Sequence, residues 1–107
     1  MTFVNLTPHT ITIRVADTDR AIAPSGRVAS VQLRCDDEEL YDGVPCLRTR
    51  ANELTNLPPP QYGIVYLVPF VVAQLAHRRD VVCIDPGPST ERATDGRVLA
   101  ARRLLRF

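Results

Sequence analysis

A chain of 107 residues with 45% hydrophobic and 23% charged side chains is sized and composed for one globular core, which excludes a disordered segment. Its formal net charge of +1 supplies no global field to draw in a polyanion, so a general nucleic-acid coat is excluded and any anion site has to be local. The longest apolar run, residues 64–73, is about half the ~20 residues of a membrane span and is broken by Pro69, so no membrane partner is expected.

All 13 basic residues are arginine, which is most simply a codon bias of a GC-rich genome, with selection for forked phosphate donors as the rival explanation. Cys35, Cys46 and Cys83 form an odd set without a C-x-x-C pair, and the N-terminus carries neither a charged segment nor a long apolar run. A reducing, cytoplasmic setting is expected. The sequon Asn5-Leu6-Thr7 then has no glycosylation machinery to meet.

From residue 10 to 15 the order Thr-Ile-Thr-Ile-Arg-Val alternates polar and apolar, a half-buried strand with Ile11, Ile13 and Val15 inward. Residues 16–20 predict a polar turn, and 21–23 an antiparallel return that completes a short hairpin. Pro24-Ser25-Gly26 is a turn by chemistry, since Pro presets φ and Gly tolerates positive φ. Residues 29–34 predict the next strand, with Ala29, Val31 and Leu33 inward. The acidic run Asp36-Asp37-Glu38-Glu39 predicts a solvated loop because like charges repel, and Asp42-Gly43 predicts a tight turn before residues 44–50, where Pro45 belongs on an edge.

Residues 51–63, with Pro58-Pro59-Pro60, predict a loop with a stiff polyproline-like centre. The continuous apolar run 64–68 predicts a central strand buried on both faces. Pro69 suits the first turn of a helix running to about Arg79, with Val72, Leu75 and Ala76 at i, i+3, i+4 spacing. Residues 81–84 predict a second short buried strand that Asp85-Pro86-Gly87-Pro88 breaks. After the turn signal Asp95-Gly96, residues 97–103 combine helix formers with a hairpin cue, and are assigned as a strand with a frayed tail. The expected whole is a single domain over 1–107, α+β and mostly β, with one small sheet or partly closed barrel of six or seven short strands and a single helix.

Two strings stand out chemically. Asn5-Leu6-Thr7-Pro8-His9 gathers an amide, a hydroxyl and an imidazole around a rigid Pro, either as a polar site or as a bend stabilised by Asn and Thr before the strand at residue 10. His77-Arg78-Arg79-Asp80 closes the expected helix, where cations favour the carbonyl end; alternatively Arg78 and Arg79, supported by Asp80, grip an anion at the helix-to-strand junction. No metal is expected, because His9, His77 and the cysteines lack ligand spacing, and Asp17-Thr18-Asp19 lacks the Gly and distal Glu of a calcium loop. No catalytic residue and no cofactor is assigned: no nucleophile signature surrounds Cys46 or Cys83, the 5 Gly are scattered at turns, and 6% aromatics cannot tile an RNA-stacking sheet.

The Asn5-Leu6-Thr7-Pro8-His9 string, with Pro24-Ser25-Gly26, Arg48-Thr49, Leu57-Pro58, Pro60, Gly63, Tyr66, Arg79-Asp80 and Asp95-Gly96-Arg97, resembles a family of small, uncharacterised bacteriophage and prophage proteins over nearly the whole chain. That family's pattern has Ser where this chain has Pro69. The resemblance implies a host-cytoplasmic setting and, by analogy with small phage proteins that blunt host defence, a binding role. The leading expectation is a binding protein for a small phosphorylated, nucleotide-like ligand, held by Asn5, Thr7, His9, Arg48, Arg78, Arg79, Asp80 and Arg97, with Arg50 as a further donor. The alternative is a structural or protein-interaction module, such as a minor virion or assembly component, acting through an exposed sheet edge or the Pro58-Pro59-Pro60 loop. A small hydrolase built on His9 and Asp80 ranks last. Homo-oligomerisation is compatible with each.

Overall fold

The structure, a computed structural model, describes the chain from Met1 to Phe107, apart from the side chains of residues 50–52. The long apolar run becomes β6 (Ile64–Leu67), which lies inside a four-stranded sheet in the order β1-β6-β7-β10, with β1 spanning Thr2–Asn5, β7 Val81–Ile84 and β10 Leu104–Leu105. β1 and β7 both run parallel to β6, and β10 is antiparallel to β7. Consecutive residues Tyr66, Leu67 and Val68 are all buried, which a strand achieves only when both faces are covered. Leu6, Ala29, Val72, Ala73, Val81 and Cys83 complete the main core around Tyr66 and Val68.

Parallel strands need a crossover, and α1 (Phe70–Ala76) supplies it between β6 and β7, burying Val72 and Ala73. The helix opens at Pro69 as its composition requires, yet it stops three residues short of the expected Arg79, because His77 adopts the left-handed conformation (φ 50°, ψ 44°) that terminates helices. Arg78 and Arg79 therefore do not cap the last turn.

The strand at Ile11–Val15 (β2) forms the expected hairpin, but its partner β3 (Thr18–Ile22) begins inside the segment expected to be a turn. Only Ala16 and Asp17 turn, with Ala16 at φ 53°. Asp19 sits directly opposite Arg14, so the polar residues that suggested a loop are cross-strand partners.

The larger departure is a long ribbon. β4 (Ser30–Tyr41) runs straight through the acidic residues expected to be a loop, and β5 (Val44–Thr55) extends into the segment expected to be one. The two 12-residue strands pair only with each other. Carboxylates are tolerated there because both faces meet water, Asp36 lies opposite Arg48, and irregularities at Leu33/Cys35 and Asp36/Glu38 relieve the register. The tip is the expected turn: Asp42 (φ 52°) and Gly43 (φ 79°) join Tyr41 to Val44, positive φ at both positions matching a two-residue hairpin loop. Val31 and Leu54 pack the ribbon base against the core and α1, while the remainder projects as an arm. The molecule measures 52 × 37 × 23 Å with a radius of gyration of 16.5 Å, against about 13 Å for a compact chain of this length.

At the C-terminal side, β8 (Glu91–Arg92) and β9 (Val98–Ala100) flank the Asp95-Gly96 turn. The segment after Arg97 is a strand, as assigned, but its tail is not frayed. Ala101 is hydrogen-bonded to Thr12 and Arg14 of β2, β10 joins the main sheet, and Phe107 meets Phe70 edge to face at 5.4 Å. The architecture is α+β and mostly β with one helix; its ten strands divide among one four-stranded sheet and three two-stranded ribbons, without a closed barrel. Among the described residues no helix is long and apolar enough to cross a membrane.

Candidate functional site

Asn5 is 1% exposed at the end of β1, and its carboxamide is fully engaged. Nδ2 donates to the carbonyls of His9 (2.8 Å) and Ile22 (3.0 Å), while Oδ1 accepts from the Thr7 amide (2.9 Å) and hydroxyl (2.6 Å). Its own carbonyl accepts from the Ser25 amide. The unusual N-terminal string is thus a clasp that fixes the turn into β2 and holds the end of β3 and the Pro24-Ser25 turn beside it. The His9 side chain is exposed outside the clasp.

Arg78 is also internally engaged. It chelates Asp80 through Nε (3.0 Å) and Nη2 (2.6 Å), and Nη1 donates to the Pro58 carbonyl (2.9 Å), tying the proline loop to the start of β7. The hydrogen bond from Arg78 holds the Asp80 carboxyl below its ordinary value against the opposing effect of burial. Arg79 is exposed beside this pair. Arg97 belongs to the β8–β9 turn, where its amide donates to Asp95. Arg48 lies on one face of the arm, in a depression of about 340 Å³ with Asp37, Glu39, Tyr41 and Cys46. The side chain of Arg50 lies outside the described residues. The eight sequence-selected residues therefore occupy several separate places, and of them only Arg48 lines either depression, the one on the arm or the one built by β1, β2, β3 and the C-terminal segment.

The other depression is built from residues distant in sequence. Phe3 of β1, Ile13 and Val15 of β2, Thr18 and Arg20 of β3, and Arg102, Arg103 and Leu104 at the entry to β10 enclose an open groove of about 470 Å³. Its position follows from the topology: residue 101 zips onto β2 while β10 leaves for β7, so β3 and the C-terminal segment face each other.

An apolar floor of Phe3, Ile13, Val15 and Leu104 is overlooked by three guanidinium groups. Arg20 stacks on the Phe3 ring with its central carbon 5.1 Å from the centroid, a cation–π contact, and makes no ion pair among the described residues. Arg102 pairs with Glu91 at 2.6 Å, and Arg103 reaches Asp85 only at 3.7 Å. Behind them Arg14 links Asp19 (2.6 and 2.9 Å) to Glu91. The hydrogen bond from Arg14 is the main reason that Asp19 is held below the ordinary carboxylate value, with the charges of Arg14 and Arg102 adding to it. Asp19 beside the groove thus remains an ionised counter-charge and orients Arg14.

Chemically the groove offers hydrocarbon, fixed cations and the Thr18 hydroxyl. Guanidinium groups do not deprotonate in proteins, so the lining is suited to holding an amphipathic anion and carries no general base. Sequence reasoning missed Arg20, Arg102 and Arg103; the only one-dimensional signal was the Arg102-Arg103 pair in an acid-free C-terminal segment. Among the described residues no group of three His, Cys, Asp or Glu side chains is gathered to hold a metal. Burial, with the nearby Asp85 charge, pushes the Cys83 thiol up, so it is a poor nucleophile.

Compared with known proteins, the chain matches no family model, no curated protein and no solved structure.

Proposed function

We propose that the protein is a non-catalytic interaction module that works through the β4–β5 arm, the role of a minor virion or assembly component. One observation carries this reading: two 12-residue strands pair only with each other and expose Leu40 (69%), Tyr41 (62%), Val44 (61%) and Leu47 (55%) around a defined turn. An isolated two-stranded hairpin is marginally stable in water, and its open edges and apolar side chains are the surfaces that pairing partners cover. The resemblance of the N-terminal string to phage and prophage proteins agrees with an assembly role. Photo-crosslinking in the producing cell tests it, with a photoreactive amino acid placed at Leu40 or Leu47 and at the exposed Gln74 of α1 as the control position. Discrete protein adducts from the arm positions and none from position 74 are expected; arm positions that yield no adducts sink the reading.

A second reading, sequestration of a small phosphorylated, nucleotide-like ligand, is favoured by the groove, where Arg20 lies over Phe3 beside Arg103. A volume of about 470 Å³ is within the ~300–1,000 Å³ typical of small-molecule sites. Melting curves with mono-, di- and cyclic nucleotides test it, since a ligand of the native state raises the transition. An unmoved transition across the series excludes it.

A further inference from the structure

We infer that the groove of Phe3, Arg20, Arg103 and Leu104 receives the arm of a second copy of this chain, in a head-to-tail contact. This rests on the arm being the interaction surface.

The near-neutral total conceals a strongly divided charge. Between Cys35 and Leu47 the arm carries Asp36, Asp37, Glu38, Glu39 and Asp42 and no basic residue, whereas residues 97–107 carry Arg97, Arg102, Arg103 and Arg106 and no acid. The two poles are complementary in a second respect. Cross-strand partners share a face, so Glu38 with Leu47 and Leu40 with Pro45 give one arm face that is apolar with an acidic edge. The groove is its counterpart, apolar at Phe3, Ile13, Val15 and Leu104 and cationic at its margin. Of its arginines, Arg20 lacks a carboxylate partner among the described residues and Arg103 has only a distant one. Both are poised to take up external carboxylates.

The arm packs at its base on α1, while the groove is formed by β1, β2, β3 and the entry to β10. Donor and acceptor surfaces are therefore different patches of one molecule. Such a contact leaves one arm and one groove open on every dimer and propagates into a ring or a filament according to the rotation between neighbours. It also buries the arm's apolar face, which answers the marginal stability of a lone hairpin.

Sedimentation velocity on the full chain tests this with two variants altered at exposed positions, each checked for an unchanged melting transition. Arg20→Glu with Arg103→Glu disables the groove; Glu38→Arg with Leu40→Arg disables the arm. The wild type is expected to associate with rising concentration, less so at high salt. Each variant alone is expected to associate about a hundredfold more weakly, because like-charge juxtaposition at an interface costs several kcal/mol. Mixed in equal amounts, the two variants are expected to regain association that neither shows alone, because the intact acidic arm of one meets the intact cationic groove of the other.

A wild type that stays monomeric at every concentration overturns the inference, and so does a groove variant that associates as well as wild type. A monomer whose groove binds nucleotide, with the stabilisation lost in the groove variant, also overturns it. If the arm nevertheless cross-links to other proteins in the cell, the interaction-module reading survives and only the identity of the partner fails.

Discussion

A single side-chain oxygen of Asn5 accepts both the amide and the hydroxyl of Thr7, at 2.9 and 2.6 Å, while the nitrogen of the same carboxamide spans the carbonyls of His9 and Ile22. The role of this clasp is structural, so Asn5→Ala is expected to lower stability by about 3 kcal/mol, the sum of several buried hydrogen bonds and the groups they leave unpaired. For a domain of this size that is a fall in melting temperature of roughly 12–24 °C. Thr7→Val, which keeps the shape and the backbone amide but loses the hydroxyl, is expected to cost about 1 kcal/mol. An Asn5→Ala protein that melts like wild type contradicts the assignment.

The Arg78–Asp80 pair gives a pH dependence of known sign. Asp80 has a folded value depressed below its unfolded one by the Arg78 hydrogen bonds. Its contribution is therefore complete above the unfolded value of about 4 and is lost as pH falls through the depressed folded value. Asp80→Asn is expected to destabilise the protein near neutrality by about 1–2 kcal/mol and to flatten this part of the acid limb in denaturant titrations. Equal acid sensitivity in variant and wild type would refute the linkage.

The arm is expected to be energetically separate from the core. Gly43 sits at φ 79°, where a β-branched residue is strained, so Gly43→Val should disorder the tip. Amide exchange between residues 38 and 47 is expected to accelerate by about tenfold or more, while the global melting transition moves little because those residues bury almost nothing against the core. A large loss of global stability would show the arm to be part of the cooperative unit.

Leu67 lies on the central strand with no exposed surface. Leu67→Ala is expected to cost about 3–5 kcal/mol through lost transfer energy and the cavity left behind, measurable by urea titration. A cost below that of an exposed site such as Leu47→Ala would misplace the core.

How far the sequence discloses this molecule depends on whether the relevant physics is local. The turn at Asp42-Gly43, the doubly buried run beginning at Ile64, the helix start at Pro69 and the break after Ile84 each follow from residues within a few positions of one another. The helix stop does not, because His77 takes a conformation that its residue type seldom adopts. The acidic stretch misleads for a different reason: repulsion argues against a strand only where a face is buried, and here neither face is. β1 escaped notice because four residues give no periodicity, and its status depends on pairing with β6 some sixty positions away. The groove is the extreme case, since Phe3 and Leu104 meet only through the sheet order, which no local pattern encodes.

Cys35 and Cys46 are exposed on the arm, whereas Cys83 is buried with its thiol pushed up. A thiol-reactive fluorophore added to the unaltered protein should therefore mark the arm alone, at its middle and near its tip, and leave the core untouched. The natural cysteines thus serve as a built-in reporter pair by which any partner that closes over the ribbon can be followed through quenching or slowed alkylation.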